Sequence, residues 1–132
     1  MGVRVYDLAD VISRIDGNVI TGYADGTAIE VQKLEDNFTS KATADGGTVV
    51  SENNDNRGLI TLTLDQTSPS IAVLNRLANS KRMYPARVID TSSRKQKAGG
   101  SKARVRKPAD ASWGRESGDQ TFEIEVFDFK ME

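Results

Sequence analysis

The sequence predicts a mainly β fold of many short strands with a single α-helix. Apolar and polar residues alternate at period two in segments 27–32, 59–64 and 122–126, the mark of half-buried strands. Gly and Asn turns punctuate those segments. One stretch, 69–80, has helical rather than strand spacing and follows a capping residue.

Taken in order, Val11-Ile12-Ser13-Arg14-Ile15 and Val19-Ile20-Thr21-Gly22-Tyr23 flank Asp16-Gly17-Asn18, a hairpin signal. Ala24-Asp25-Gly26 turns the chain into a strand where Ile29 and Val31 alternate with Ala28, Glu30 and Gln32. The clearest strand is 59–64, with Ile60, Leu62 and Leu64 on one face and Thr61 and Thr63 on the other. Phe122, Ile124 and Val126 alternate with Glu123 and Glu125, but Phe127 and Phe129 break the phase, which predicts a bulge or a change of environment. In the helix, Ser68 is placed to cap and Pro69 takes the first position, where a missing N–H costs nothing. Ile71, Leu74, Leu77 and Ala78 then make one apolar stripe. Segments 43–58 and 91–101 are rich in Gly, Asn, Asp or Lys and read as solvated loops in an isolated chain. In a self-assembling protein the same segments would become ordered arms.

At 132 residues the chain is expected to be one domain, 1–132. With neither Cys nor His it has no disulfide, thiolate site or imidazole base, which closes the usual hydrolase and metalloenzyme constellations. Gly99-Gly100-Ser101-Lys102 lacks the upstream Gly and the following Ser or Thr of a phosphate-binding loop. No enzyme activity, cofactor or metal is expected. The first residues lack an apolar signal region and no run is long enough to span a membrane, so the expectation is a soluble protein made in the cytoplasm. The lone Trp113 is expected as a core plug in preference to an interface anchor.

The net charge of −1 hides a partition. Residues 81–107 hold ten of the 18 Lys and Arg and one acid, Asp90, for +9; the remainder carries −10. Such a chain is suited to opposite-charge contact, with a nucleic acid or with a copy of itself. A DNA-binding module would use the stretch from Arg94 to Lys107, but that stretch offers no aromatic for base stacking.

Several runs resemble one phage structural-protein family, once catalogued as a domain of unknown function and understood as tail-tube subunits of contractile tails. They are Gly22-Tyr23-Ala24-Asp25-Gly26, Glu35-Asp36-Asn37-Phe38-Thr39, Ala44-Asp45-Gly46 and Asn54-Asp55. The tightest is Leu62-Thr63-Leu64-Asp65-Gln66-Thr67-Ser68-Pro69-Ser70, followed by Lys107-Pro108-Ala109-Asp110 and Gly114-Arg115-Glu116. Each is weak alone, but together they are collinear over nearly the whole chain. The basic stretch 91–103 and the tail 127–132 depart from the family pattern.

The resemblance implies a small β-sandwich or barrel flanked by one helix, assembling as stacked hexameric rings inside a contractile sheath. It implies a place in the virion tail, with sheath, baseplate and tape-measure proteins as partners and DNA passing through unbound. Six subunits giving about four strands each, ~4.8 Å apart, span roughly 115 Å. Strand tilt of about 35–45° raises the diameter to roughly 45–50 Å before side chains are subtracted, enough to pass duplex DNA. Glu30, Gln32, Thr61 and Thr63 are the lumen-lining candidates, because acidic and neutral groups do not hold phosphates. The solvated face of an ordinary sandwich would show the same alternation. Segments 36–58 and 92–107 are the candidate assembly arms, with Asp45, Asp55, Arg94, Lys95, Lys97, Lys102 and Arg104 as contact candidates. A tube-like baseplate or terminator adaptor, and the basic nucleic-acid-binding module, are the alternatives.

Overall fold

The structure, a computed structural model, describes residues 3, 7–92 and 95–132. Among them a 3₁₀ turn, Leu8–Asp10, leads into β1 (Val11–Ile15), β2 (Asn18–Val19), β3 (Ile29–Lys33), β4 (Phe38–Ala42) and β5 (Thr48–Glu52). Then come β6 (Gly58–Asp65), α1 (Ser70–Asn79), β7 (Tyr84–Asp90), β8 (Lys97–Val105), β9 (Asp119–Val126) and β10 (Lys130–Met131). The mainly β fold with one helix is thus as expected.

One antiparallel sheet runs in the order β2-β1-β7-β8-β9-β6-β3, with β10 also on β8. Strand pairing does not close it: β2 and β3 are its two edges. The sheet nevertheless curls, since Val11 of β1 and Ile29 and Val31 of β3 line one cleft. The connection from β2 to β3 bridges the opening, with Ala24 donating to the Thr63 carbonyl at 3.1 Å and Asp65 to the Gly22 carbonyl at 2.9 Å. Inside the curl, Ile15, Ile60, Leu62, Leu64, Tyr84, Phe122, Ile124 and Val126 pack with Leu74 and Leu77 of the helix. Period-two alternation therefore becomes one apolar inner and one polar outer face.

The helix is fixed at both ends. Ser68 Oγ accepts the Ser70 N–H and donates to the Thr21 carbonyl, and Ser70 Oγ takes the Thr21 N–H at 3.0 Å. Pro69 already has helical dihedrals, φ −67° and ψ −18°, as its ring favours. At the other end the Tyr84 hydroxyl donates to the Leu77 carbonyl and accepts the Val105 N–H at 2.6 Å, so it is satisfied although buried.

Both segments read as solvated loops contain strands. Residues 48–52 form β5, which pairs with β4 in a separate two-stranded hairpin whose ten residues are all exposed. With no buried face, that hairpin carries no alternation to read. Of the described residues in 91–101, 91–92 and 95–96 lie outside strands; β8 itself sits in the middle of the sheet, between β7 and β9–β10. Its Ala98-Gly99-Gly100 run looks like linker because it has almost no side chains, yet all three are buried. A Cβ on Gly99 (φ +134°) would lie 2.1 Å from the Ala86 carbonyl oxygen, and one on Gly100 would lie 2.3 Å from Asp128 Oδ1. The candidate arm 92–107 is consequently not free, and deleting 94–103 would do more than trim a loop. It would take out a central strand.

The phase break at Phe127–Phe129 is real. After β9 the chain turns and β10 continues against β8, with Lys130 opposite Gly99. Phe129 folds back into the core over Gly58, where a Cβ would meet its ring at 2.0 Å. Opposite, β8 has an extra residue relative to β7 between Gly100 and Ala103. Asp128 holds that irregularity, accepting the Ser101 N–H at 3.1 Å and the Lys102 N–H at 3.0 Å. Partial burial pushes the Asp128 carboxyl up, but these amides and the Ser101 hydroxyl outweigh it and hold the carboxyl below its usual range.

Two predictions follow from this packing. Gly99→Ala should lower stability on the order of 3 kcal/mol, read as a drop in the urea midpoint, since it adds strain and overlap against backbone. Asp128→Asn should cost about 1–2 kcal/mol at neutral pH. Because the folded-state value is depressed, that contribution is present above about pH 4 and fades as acid protonates the native carboxylate. Urea midpoints of the two proteins should therefore converge as the pH falls below that range.

Candidate assembly surfaces

The four lumen candidates lie together on the outer face of two adjacent strands. Glu30 of β3 pairs with Thr61 of β6, which pairs with Glu123 of β9. Gln32 pairs with Leu59, and Leu59 with Glu125. Thr63 pairs with Thr121, their hydroxyls 3.3 Å apart. Thr121, Glu123 and Glu125 extend the face across β9; their alternation was visible in the sequence, but the register that joins them to Thr61 was not. Arg106 lies over this end, donating to Glu123 at 3.2 Å and to Glu125 at 3.0 Å, so its charge is matched locally. The face is otherwise acidic or neutral. Leu59 interrupts it as a buried apolar residue.

The β4–β5 hairpin leaves the sheet where β3 ends and β6 begins, at the paired residues Lys33 and Gly58. Asp45 lies in its turn, where the Thr43 hydroxyl and then the Gly47 N–H hold its carboxyl below the usual range. Asp55 lies near its base in a bidentate pair with Arg57, at 2.8 and 3.0 Å, which lowers its pKa likewise. Phe38, Val49 and Val50 are exposed on the hairpin.

The basic candidates do not form one patch. Arg94 lies outside the described residues. Lys95 sits in the turn before β8, and Lys97 is exposed at the start of that strand. Lys102 is exposed at the β8 irregularity. Arg104 is half-buried and reaches the Ser80 carbonyl at 3.2 Å, closing the helix C-terminus where its dipole favours a cation. Lys97 and Arg104 are separated by roughly 23 Å of extended strand. Arg82, also in the basic stretch, is paired with Asp16, and the guanidinium holds that carboxyl below its usual range.

Trp113 is not a core plug. It is 83% exposed, on the long connection from β8 to β9. Its neighbours from Asp110 to Glu116 are polar or small and give it no large apolar companion to fold in with, which is the signal the sequence did offer. Among the described residues no group of acids is placed to hold a metal, and no helix is long and apolar enough to cross a membrane.

The fold has counterparts among known proteins. The sheath/tube terminator of the extracellular contractile injection system PVC, in its extended state, superposes with a TM-score of 0.63 at 10% identity. That match covers 100% of this chain and 97% of the terminator. The tube terminating cap of the anti-feeding prophage gives 0.61 at 11% identity, covering 100% and 94%. At such identities the likeness is one of fold. No curated protein matches the sequence. A family profile does: that of the bacteriophage PhiTE tail tube protein, over residues 5–110. The chain belongs to that tail tube family, and it is a structural protein of the virion tail rather than an enzyme.

Proposed function

We propose that the chain is a tube subunit that assembles with itself into stacked six-membered rings, forming the conduit for DNA inside a contractile sheath. The observation that carries this reading is the outer face of β3, β6 and β9. It presents Glu30, Gln32, Thr61, Thr63, Thr121 and Glu123 side by side, a surface that suits a bore through which a polyanion must slide. The free edges at β2 and β3 would be covered in the ring, which also removes their tendency to pair at random. Arg57, Arg82, Arg104 and Arg106 are each engaged within the chain, which favours assembly over binding of nucleic acid by a basic arm.

A second reading, a terminator or adaptor present once per tail, is favoured by one observation: both solved structures named above are terminators or caps of a tube. Sheath contact is part of either reading. Negative-stain electron microscopy across a concentration series separates them. The tube reading predicts hollow tubes with a regular axial repeat; single rings that never stack would support the terminator.

Placing Lys at Thr61 and Thr63 puts about twelve cations into each ring of six. Tubes should still form, because both side chains lie outside the core. Phage carrying the double variant should eject DNA more slowly, with the defect relieved by added salt. Unchanged ejection would place these residues away from the bore.

A further inference from the structure

Two exposed apolar features stand at opposite ends of β6. At the Gly58 end is the β4–β5 hairpin, where Phe38 (53% exposed) and Val50 (55%) share a face, because Ser40 pairs with Val50 and Phe38 with Glu52. At the Asp65 end is the connection from β8 to β9, which carries Trp113 at 83% exposure and rejoins the sheet where Asp119 pairs with Asp65. The eight residues of β6 set the two roots roughly 23 Å apart.

The Trp113 connection is pinned rather than loose. Gln66 alone holds both of its limbs: Nε2 donates to the Ser112 carbonyl at 2.7 Å, and Oε1 accepts the Gly118 N–H at 3.1 Å. The Ser117 hydroxyl adds a bond to Asp65 at 2.9 Å. An exposed Trp next to a pinned residue loses little freedom on docking, the property of a preorganised anchor. The hairpin segment 34–57 carries −3, and Arg115 on the connection is a cation such a surface attracts. Glu52 lies on the Phe38–Val50 face, and Arg115 is two residues from Trp113.

The geometry points to Trp113 as the anchor between rings, seated on the Phe38–Val50 face of the hairpin of a second copy, with Arg115 against Glu52. This rests on the tube reading and deepens it. Donor and acceptor surfaces at opposite ends of one strand make a heterologous contact that repeats without closing, as a stack requires. The hairpin supplies the apolar floor and the pinned connection supplies the plug.

Trp113 is the only tryptophan and the chain has no cysteine, so both features can be probed directly. On assembly the tryptophan emission of the wild type should shift to the blue and become shielded from acrylamide. Trp113→Ala should raise the critical concentration for assembly ~30-fold or more while leaving the urea midpoint of the monomer unchanged. Val50→Asp should raise it similarly. Oxidising an equal mixture of Trp113→Cys and Val50→Cys proteins under assembly conditions should give disulfide-linked heterodimers. Wild-type tubes whose Trp113 stays as quenchable as in the monomer would overturn the anchor and leave the tube reading standing. A wild type that never stacks would remove both.

Discussion

The eight-residue antiparallel pairing of β6 with β9 is the constraint on which the rest of the molecule depends. It aligns Ile60, Leu62 and Leu64 with Ile124, Phe122 and Gln120 on the inner face, and Thr61 and Thr63 with Glu123 and Thr121 on the outer. Because the side-chain period is two, a slip of one residue would turn the leucines outward and the threonines inward. The core, the polar wall and the two ends from which assembly surfaces project are therefore set by one register. The helix and the β2–β3 connection then fasten that curled sheet, with Ser68 and Ser70 stitched to Thr21 where the last turn of β6 enters the helix.

What the sequence made legible was most of what had a buried face. Strands β1, β3, β6 and β9 and the capped helix all show the periodicity that burial imposes, and all are present. The hairpin β4–β5 escaped notice because none of its residues is buried, so no pattern distinguishes its strands from a polar loop. Strand β8 was hidden for the opposite reason: Gly99 and Gly100 are packed so tightly against backbone and Asp128 that no side chain fits, and glycine reads as linker. Tyr84–Asp90, also unread, alternates cleanly but begins with Tyr84-Pro85 directly after the helix and was absorbed into the basic stretch. Its +9 looked like one arm; folded, it is spread along two strands, with Arg82 and Arg106 paired to acids and Lys97 and Lys102 exposed.

The lumen candidates were legible as an alternating face, and the structure places all four on one surface. The contact candidates were chosen by charge, and charge was the weaker guide. Asp55 and Arg104 are engaged within the chain, and the exposed lysines are scattered along β8. In the proposed contact between rings, exposed apolar groups on pinned or projecting elements supply the surface. Phe38, Val50 and Trp113 are those groups, and charge adds direction to their contacts rather than the bulk of the affinity.

The central claim is that the outer face of β3, β6 and β9 lines the bore of a tube. A cryo-electron-microscopy reconstruction of the assembled protein tests it most directly, since side-chain density would show which wall carries Glu30, Thr61 and Glu123. The account predicts these residues around the lumen, with the helix α1 outside them. The same residues on the outer wall, against solvent or sheath, would contradict it.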